Sequence, residues 1–360
     1  MLTLTTAGES HGPALVAILA GLPAGLVLER GAIDADLRRR QQGYGRSPRQ
    51  QLEQDEVELL AGLRHGRTLG TPLALVVRNR DHKNWAWGMS PWPPEGEPEG
   101  KGTKPVTLPR PGHADLAGAQ KFGLEDVRDA LERASARQTA VSVAAGAVAK
   151  TLVAEIGIAV RGEARAEAGA DETEVDEARA ERDTLGGVIE VRAQGVPPGL
   201  GSYATKEERL DARLAAALMG IQAVKGVEIG DGFELAGLRG SEAHDEIVRD
   251  GRGLHRTTNR AGGIEGGVSN GEEIVVRAAM KPLPTLMQPL ASVDLRTGEP
   301  GEALVERSDV SAVEALAVVA EAAVVWELAR AAREKFGGDA MGDFVAAHRA
   351  YLERIDWQPR

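Results

Sequence analysis

The chain has 360 residues, contains no cysteine and carries a formal net charge of −11 at pH 7. This length permits one large domain or two ordinary ones, and the lack of cysteine excludes disulfides and thiolate metal sites. We expect no signal peptide, no membrane span and no broad nucleic-acid surface, and therefore a cytoplasmic protein.

The chain begins with an alternating strand pattern at residues 2–7 that leads into the sequence GESHG at 8–12. Glycines on both sides of this turn allow the backbone to approach a ligand, while Ser10 and His11 present a hydroxyl group and a titratable imidazole. A single histidine after a strand is more often structural, so both interpretations of His11 stay open at this point.

Residues 36–49 hold a concentration of arginines that runs against the acidic charge of the chain. These arginines are Arg38, Arg39, Arg40, Arg46 and Arg49. Helical spacing lets some of them converge, and we expect Gly43 and Gly45 to end the helix and turn Arg46 and Arg49 back to the same side. Guanidinium groups match carboxylates and phosphates, so the segment predicts a small anionic ligand; a solvated basic helix face is the alternative.

Residues 91–105 are rich in proline and glycine and predict a surface loop. The sequence PRPGHADL at 109–116 then predicts a rigid turn. This turn presents Arg110 and His113, a pair suited to hold an anion and to move a proton.

From residue 139 to 153 nearly every side chain is Ala, Val or Gly, which predicts a helix buried on all sides. Ser135 and Arg137 stand at its opening, where a buried anion or a polar cofactor would give them a partner; a core helix whose arginine extends outward to solvent is the alternative. We predict one long helix over 124–156 and, over 163–183, a solvated helix or exposed excursion without chemistry.

Short sequence matches in the same order predict an internal duplication, with halves at about 1–160 and 185–340. The matched pairs are residues 21–26 with 195–200, the pentapeptide LAGLR at 60–64 with 235–239, VVR at 76–78 with 275–277, and the helices at 124–156 with 311–336. The second half carries an insertion between LAGLR and VVR that includes a glycine-rich stretch, which indicates a ligand site.

That glycine-rich stretch is NRAGGIEGGVSNG at 259–271, and KPLPT follows at 281–285. Paired glycines let backbone N–H groups surround a phosphate, and Lys281 and Thr285 supply charge and a hydroxyl group. The pattern is neither a Rossmann nor a P-loop motif. A glycine-rich hairpin without a ligand is the alternative.

The second long helix is entered through VERSDVSAV at 305–313. Ser308 or Asp309 is expected to cap this helix. Alternatively, Arg307 and Asp309 reach into the site. Together these elements predict a mixed α/β protein in which two sheets enclose a helical layer, because helices without a polar face must be hidden from water.

Taken together, the motifs resemble those of the chorismate synthase family. The resemblance rests on GESHGP at 8–13, RRRQQGYGR at 38–46, PRPGHAD at 109–115, RASARQT at 133–139, GGIEGGVSNG at 262–271, KPLPT at 281–285 and RSD at 307–309. They occur in the family's order over nearly the whole chain. Val310 and Glu314 stand where the family usually has proline, and no role is carried over to Gln222.

The resemblance implies an α+β fold, an internally duplicated β-α-β sandwich with two long buried helices between the sheets, in one domain over residues 1–360. It implies conversion of 5-enolpyruvylshikimate 3-phosphate to chorismate and phosphate, an anti 1,4-elimination of the shikimate pathway that needs reduced FMN (FMNH2) without net oxidation. It also implies a homotetramer whose subunits help to complete the flavin site, with an external flavin reductase or NADPH as the source of reducing equivalents.

The family's residue roles carry over by motif. His11 would protonate the departing phosphate, and His113 would protonate or stabilise the reduced flavin near N1 and the C2 oxygen. Asp309, with Ser10 and Ser135, would relay a proton to or from flavin N5. The implied substrate-binding set is Arg40, Arg46, Arg49, Arg137 and Arg307. The implied cofactor-binding set is Arg110, Ser135, Ala136, Arg137, Gly266, Gly267, Asn270, Lys281, Pro282, Leu283, Pro284, Thr285 and Arg307. No metal ligand is implied.

Two other classes of function remain as alternatives. A phosphotransferase is disfavoured because the chain lacks a P-loop and an acidic pair for Mg²⁺. A module that binds RNA or another polyanion through residues 36–49 is disfavoured by an aromatic content of 3% and by the acidic net charge. A flavin- or polyanion-binding protein without the lyase activity is the remaining alternative.

Overall fold

The structure, a computed structural model, describes residues 1–47, 54–165, 171–251, 253–305 and 309–355. Arg49 and Arg307 of the predicted substrate-binding set lie outside the described residues. Ser308, one of the two predicted helix caps, also lies outside them.

The described residues form short strands and helices of unequal length. The strands are β1 (Thr3–Ala7), β2 (Ala14–Ala20), β3 (Val57–Ala61), β4 (Leu63–Arg64), β5 (Arg67–Thr68), β6 (Leu73–Arg78), β7 (Ala159–Ala164), β8 (Gly187–Gln194), β9 (Val224–Ile229), β10 (Ile247–Asp250), β11 (Gly253–Arg256), β12 (Ile264–Glu265), β13 (Val268–Ser269), β14 (Ile274–Met280), β15 (Ala291–Val293) and β16 (Pro300–Glu302). The α-helices are α1 (Arg30–Gln41), α2 (Asp115–Phe122), α3 (Arg128–Ala134), α4 (Thr139–Ala154), α5 (Glu172–Glu181), α6 (Leu210–Met219), α7 (Gly240–Ala243), α8 (Val313–Phe336) and α9 (Met341–Ile355). Short 3-10 helices lie at Arg80–Asn84, Ala136–Gln138 and Gly232–Gly237.

Two antiparallel sheets have the same strand order. The first sheet has the order β1-β2-β6-β3 and the second the order β7-β8-β14-β9. In each sheet the strand that comes first in the sequence lies at one edge. The strand that comes last in the sequence, β6 or β14, lies between the strands that come second and third. This repeated order supports the hypothesis that the chain arose by internal duplication.

The long helices α4 and α8 lie between the two sheets. Helix α4 packs on β1, β2 and β6, helix α8 packs on β7 and β8, and the two helices pack on each other. They pack tightly at Gly146, where an added Cβ would lie 2.4 Å from the Cβ of Ala322. Because α4 has neighbours on all sides, most of its residues are buried. The predicted α+β sandwich with two long buried helices between sheets is therefore confirmed.

The polar exceptions in this helical layer form an ion cluster. Glu321 of α8 is 2% exposed and contacts Arg39 of α1 at 2.9 Å and Lys150 of α4. Asp36 completes the cluster at 2.7 Å from Arg39 and 3.1 Å from Lys150. Burial works to raise the pKa of Glu321, but the hydrogen bond from Arg39 and the charge of Lys150 outweigh it and lower the pKa. The cluster therefore joins three helices through paired charges.

The prediction of one continuous helix over 124–156 is wrong. Helix α3 ends at Ala134, Ser135 is extended at φ −63° and ψ 141°, and α4 begins at Thr139 after a 3-10 turn. The Ser135 side chain accepts a hydrogen bond from the backbone N–H of Arg137 and so stabilises this break. The interruption places the SAR sequence in a turn at the mouth of α4.

A buried hydroxyl group closes the turn after the second strand of the first half. Thr68 Oγ1 donates to the carbonyl of Pro23 at 2.6 Å and accepts from the backbone N–H of Leu26 at 3.0 Å. Thr68 belongs to the β4–β5 hairpin. The hydroxyl thus satisfies two buried backbone groups that have no strand partner.

The second half contains the same arrangement. Ser269 Oγ donates to the carbonyl of Pro197 at 2.6 Å and accepts from the backbone N–H of Leu200 at 2.8 Å. Ser269 belongs to the β12–β13 hairpin. The hairpin at residues 264–269 therefore corresponds to the hairpin at 63–68.

This correspondence corrects the sequence alignment of the two halves. The second LAGLR, at 235–239, lies largely in a 3-10 helix that follows β9, whereas the first runs from β3 into a hairpin. The extra residues of the second half therefore precede the glycine-rich hairpin and include the β10–β11 hairpin. The pentapeptide match misled because short alanine- and leucine-rich matches arise without structural equivalence.

The remaining elements lie outside the layered core. Residues 91–105 form an exposed segment without helix or strand, as predicted for a surface loop. Helix α5 begins after Asp171, whose carboxylate accepts from the N–H of Thr173 at 2.7 Å, and most of its residues are exposed. Within the described ranges, no helix combines the length and apolar character needed to cross a bilayer.

Candidate active site

A cavity of about 490 Å³ lies at the N-terminal ends of α4 and α8. Helix N-termini carry partial positive charge and unpaired N–H groups, so two such ends favour an anion. Fourteen residues of the predicted site line the cavity: Ser10, His11, Arg40, Arg46, Arg110, His113, Ser135, Ala136, Arg137, Lys281, Leu283, Pro284, Thr285 and Asp309. The structure thus brings together motifs that are up to about 300 residues apart in the sequence.

The imidazole of His11 is fixed from two sides. Glu132 accepts from the His11 backbone N–H at 2.8 Å, and its carboxylate lies 2.9 Å from His11 Nδ1. Trp85 stacks on the ring with 3.9 Å between centroids and 19° between planes. Because the carboxylate is an acceptor, Nδ1 carries the hydrogen that is donated to it. Nε2 is then the ring nitrogen available to a ligand in the cavity.

Ser10 and Ser135 lie next to each other on the cavity wall. Their hydroxyl oxygens are 3.2 Å apart, and the Ser10 backbone N–H donates to the carbonyl of Glu132 at 3.1 Å. These contacts join the GESHG turn to the end of α3. The pair of hydroxyl groups forms a short polar path beside His11, which is suited to hold or pass a proton.

Arg40 and Arg137 share one buried carboxylate. Asp55 Oδ2 lies 2.9 Å from Arg40 and 2.7 Å from Arg137. Burial works to raise the pKa of Asp55, but the hydrogen bonds and charges of Arg137 and Arg40 outweigh it and lower the pKa. For Arg40, burial lowers the pKa of the guanidinium group, and the negative charge of Asp55 opposes this effect.

Arg46 is turned back to the cavity, as predicted from Gly43 and Gly45. Those glycines have φ of +123° and +83°, values that strain other residues. Arg46 pairs with Asp309 at 3.0 Å, and Asp309 also accepts from the Ser47 N–H at 2.6 Å. Burial lowers the pKa of Arg46, and the charge of Asp309 opposes this effect.

This pairing decides between the two interpretations of Asp309. Helix α8 begins at Val313 without a side-chain cap, so Asp309 does not cap it and reaches the cavity instead. The remaining arginines of the 36–49 segment behave differently. Arg38 is exposed and Arg39 pairs with Glu321, so the helix turns only part of its basic run inward.

The two positions that depart from the family pattern both contact the Arg46 turn. The backbone N–H of Val310 donates to the carbonyl of Gly45 at 2.8 Å. The carboxylate of Glu314 accepts from the N–H of Tyr44 at 2.9 Å. A proline at either position lacks the group that makes the contact. In this chain the two side-by-side contacts hold the turn against the entry to α8.

A second cluster of charge, around Arg110 and His113, forms another part of the cavity wall. Asp115 is fully buried, accepts from Arg110 Nε at 2.9 Å and contacts His113 Nδ1. Burial works to raise the pKa of Asp115, but the hydrogen bonds from His113 and Arg110 outweigh it and hold the pKa far below its usual range. The ionised carboxylate directs Nδ1–H of His113 toward itself and leaves Nε2 for a ligand.

The KPLPT segment completes this wall. Arg110 donates to Thr285 Oγ1 at 3.1 Å, and Lys281 Nζ donates to the carbonyl of Gly112 at 2.9 Å. Burial lowers the pKa of Lys281, with a smaller contribution from Lys225. The Oε1 atom of Gln222 is buried beside the segment and has no hydrogen-bond partner among the described residues.

Four predicted cofactor-binding residues do not line the cavity: Pro282, Gly266, Gly267 and Asn270. The last three lie in or next to the β12–β13 hairpin. Strand β14 leads from this hairpin to Met280 on the cavity wall, a run of seven residues, so the hairpin lies roughly 20 Å from the cavity. Gly267 is needed structurally, because an added Cβ would lie 2.6 Å from the Arg209 side chain.

Several polar groups of the site were missed by the sequence analysis: Asp55, Asn79, Trp85, Asp115 and Glu132. Asp115 stands two residues after His113 in the same motif, so spacing alone offered a signal. Glu132 stands directly before RASAR, and helical periodicity would place it on the same face as the site residues of that motif. Asp55 and Asn79 lie outside any motif and carry no such signal. No cluster of side chains arranged to bind a metal ion occurs in the part of the chain described.

Comparisons with known proteins agree with one another. A family model described as chorismate synthase matches residues 2–332. Curated chorismate synthases from Desulforudis audaxviator and Rubrobacter xylanophilus are both 54% identical, over 99% and 98% of this chain and 98% and 96% of their own lengths. The solved structure described as "Crystal Structure of Chorismate Synthase" aligns with a TM-score of 0.77 at 37% identity, covering 98% of both chains.

Proposed function

The chain belongs to the chorismate synthase family, whose members are lyases of the shikimate pathway, and we propose that its reaction takes place in the cavity between α4 and α8. In this reaction 5-enolpyruvylshikimate 3-phosphate loses phosphate from C3 and hydrogen from C6, which creates the second ring double bond of chorismate. The observation that carries the assignment is the convergence of His11, Arg40, Arg137 and Asp309 on one cavity.

The arginines are assigned to the anionic groups of the substrate. The substrate carries one phosphate and two carboxylates, and planar guanidinium groups bind such groups in two-point contacts. Arg40, Arg46 and Arg137 line the cavity, and their counter-charges Asp55 and Asp309 keep them oriented. Arg49 and Arg307 remain predicted members of this set from the sequence motifs.

His11 is assigned as the proton donor to the departing phosphate. Its Nε2 atom is the free ring nitrogen, and the stack with Trp85 and the contact with Glu132 leave the ring little freedom. A donor held in this way protonates the leaving oxygen as the C–O bond breaks. Ser10 and Ser135 stand beside it and, with Asp309, would relay a proton to or from a flavin bound in the cavity.

The cavity suits a flavin on chemical grounds. Lys281, Thr285 and Arg110 supply positive charge and a hydroxyl group for a phosphate, and Ala223, Leu316 and Met280 are among the apolar residues beside them. The unpaired Oε1 of Gln222 is an acceptor suited to a ring N–H. Reduced FMN supplies the electron density that this elimination needs, because the C6 hydrogen is not acidic. His113 is assigned to hold a proton near flavin N1 through its free Nε2.

The test is anaerobic turnover with photoreduced FMN and 5-enolpyruvylshikimate 3-phosphate. We expect phosphate and chorismate to form in equal amounts, with flavin acting catalytically and oxidised FMN giving no product. An unchanged rate in EDTA separates this lyase from a metal-dependent phosphotransferase. Tight flavin binding without any product would instead support a flavin-binding protein that lacks the lyase activity.

Assembly as a homotetramer is part of the same proposal. The hairpin that carries Gly266 and Gly267 is remote from the cavity of its own chain, and Gly266 is exposed. A contact between this hairpin and a flavin therefore requires a neighbouring subunit. Sedimentation velocity with and without FMN tests this proposal. We expect tetramers, and we expect their flavin affinity to fall when dilution dissociates them into smaller species. An active monomer would contradict the proposal.

We also propose a cytoplasmic location, which the absence of cysteine supports. The reducing equivalents come from an external flavin reductase or from NADPH. Anaerobic incubation of the protein with NADPH and oxidised FMN distinguishes the two. Loss of the visible absorbance of oxidised flavin indicates intrinsic reduction, and no loss indicates an external reductase.

A further inference from the structure

Asp55 lies behind two of the cavity arginines without lining the cavity itself. It is 2% exposed, and its Oδ2 atom contacts Arg40 at 2.9 Å and Arg137 at 2.7 Å. Its backbone N–H donates to the side chain of Gln41 at 3.1 Å. Arg40 comes from α1 and Arg137 from the turn before α4, so one carboxylate oxygen sets the distance between groups from two different elements.

Asn79 holds Arg137 from another direction. Its Oδ1 atom accepts from Arg137 Nε at 2.9 Å, and its Nδ2 atom donates to the carbonyls of Glu9 at 3.0 Å and Gly12 at 2.7 Å. These two carbonyls flank Ser10 and His11. Asn79, which is 6% exposed, therefore connects an anion-binding side chain to the turn that carries the assigned proton donor.

The physical consequence follows from the charges. Arg40 and Arg137 repel each other, and a buried charge without a partner is strongly unfavourable. Asp55 offsets one positive charge and, through directional hydrogen bonds, limits where the two guanidinium groups point. A carboxylate in this place affects a bound anion in two opposite ways, because it repels the anion and also orients the groups that bind it.

We propose that Asp55 and Asn79 are positioning residues for the reaction, neither of which touches the substrate. Asp55 sets the spacing and net charge of the Arg40–Arg137 pair, and Asn79 couples this pair to the His11 turn. The proposal rests on the proposed function, because it concerns how the arginines present the substrate to His11.

The central experiment compares Asp55→Asn with Asp34→Asn. Asp34 is a matched control, since it is also buried near the start of β3 and accepts from the Val57 N–H at 2.9 Å, but it contacts no cavity arginine. Two quantities are measured: the affinity for inorganic phosphate by calorimetry, without flavin, and kcat for chorismate formation.

For Asp55→Asn, phosphate is expected to bind roughly fivefold more tightly, because a nearby negative charge is gone. In the same variant kcat is expected to fall about 100-fold, because the arginines no longer hold the substrate in place. Asp34→Asn should change neither value by more than about threefold, a spread ordinary for single substitutions. Unchanged or weaker phosphate binding in Asp55→Asn, or a kcat within threefold of the original, overturns the proposal.

Two further variants keep the proposal testable if Asp55→Asn does not fold. Asp55→Glu retains the charge but changes the distance, so phosphate affinity should return to the original value while kcat stays low. Asn79→Asp can still accept from Arg137 but cannot donate to Glu9 and Gly12, so kcat should fall about tenfold. An unchanged kcat in both variants overturns the proposal.

The phosphate titrations also separate this proposal from the proposed function. If the unsubstituted protein forms no chorismate under reducing conditions, the proposed function fails. The phosphate affinities of the two variants, tighter in Asp55→Asn and unchanged in Asp55→Glu, still decide whether Asp55 sets the charge of the arginine pair.

Discussion

The two halves of the molecule share a scaffold but differ in what they bring to the cavity. Both have the same strand order, and in both a buried hydroxyl group closes the turn after the second strand. The first half supplies both cavity histidines and the arginines on the cavity wall, whereas the second supplies Lys281, Thr285, Asp309 and most of the apolar wall. Under the proposed function, the assigned proton donor His11 and the anion-binding arginines therefore come from one copy, and Lys281 and Thr285 of the assigned cofactor site come from the other.

The comparison also explains the glycine-rich stretch that the sequence analysis assigned to a phosphate. In the second half Gly266 and Gly267 turn the β12–β13 hairpin with φ of +61° and +86°. The corresponding hairpin of the first half turns at His65 and Gly66 with φ of +50° and +74°. Because the turn itself requires positive φ, the paired glycines have a structural cause in this chain.

The largest effect is expected from removing the assigned proton donor of the first half. His11→Asn should lower kcat by about 10²- to 10⁴-fold, because asparagine cannot transfer a proton. Flavin affinity should stay unchanged, since the groups assigned to the flavin phosphate are Lys281, Thr285 and Arg110, whereas His11 is held by Glu132 and Trp85. Anaerobic single-turnover kinetics and flavin fluorescence measure the two values. Full turnover in this variant would remove His11 from the reaction.

Next in size is the contact between the two halves at Gly146. Gly146→Ala should destabilise the protein by about 2 kcal/mol, because the new methyl group meets Ala322 and the core cannot expand freely. Gly31→Ala is the matched control: nothing lies within 4 Å of Gly31 in α1, and the same change there should stabilise by about 0.5 kcal/mol. Urea unfolding of both variants gives the free energies. A stabilising Gly146→Ala would contradict the close packing of α4 on α8.

The equivalence of the two hydroxyl groups is tested by removing each in turn. Thr68→Val and Ser269→Ala should each cost about 1–2 kcal/mol, because each leaves a buried N–H and a buried carbonyl without this partner. Thermal and urea unfolding measure the cost. Values that differ by more than about twofold would show that the two turns are not equally buried, and a neutral effect in one half would break the correspondence.

A smaller effect is expected at the cofactor wall of the second half. Lys281→Met should weaken FMN binding about tenfold, since one charge-assisted hydrogen bond is lost. At saturating FMN, kcat should remain within about threefold of the original, because the residue is assigned to binding. Flavin titration followed by turnover measurements tests whether Lys281 acts in binding and not in the chemical step. A large loss of kcat with unchanged flavin affinity would assign Lys281 to the chemistry instead.

The smallest effect concerns acid stability and the buried carboxylates of the first half. Asp55 and Asp115 have folded-state pKa values below the unfolded value of 3.8. Their stabilisation is therefore complete above about pH 4 and is lost as the pH falls through lower values. Urea midpoints between about pH 6 and pH 3 should decline with falling pH, and Asp115→Asn should reduce the slope. An identical slope in this variant would mean that folding does not lower the pKa of Asp115.

The site was predictable where chemistry is contiguous in the sequence. GESHG, SAR and KPLPT each place several site residues on one short turn, so His11, Ser135 and Lys281 could be assigned without coordinates. The arginine segment was only partly predictable, because a helix turns Arg38, Arg39 and Arg40 toward three different surroundings. Which of them faces inward depends on what packs against α1.

The partners behind the site were not predictable for the same reason. Asp55 contacts Arg137, about 80 positions away, and Glu132 contacts His11, about 120 positions away. Such contacts have no local pattern, since they depend on how sheets and helices stack. The alignment of the two halves failed for a similar reason. The equivalent hairpins share a hydrogen-bonding pattern, whereas the two copies of LAGLR lie in different structural elements.

The motifs of the site, the family and the apolar character of the long helices can be read from the sequence alone. A long apolar run without a polar face predicts a buried helix, and paired glycines predict turns whatever the rest of the fold. The break at Ser135, the pairing of Arg46 with Asp309 and the position of the glycine-rich hairpin are visible only in the folded chain. These features depend on distances between elements, and long-range packing sets those distances while local sequence does not.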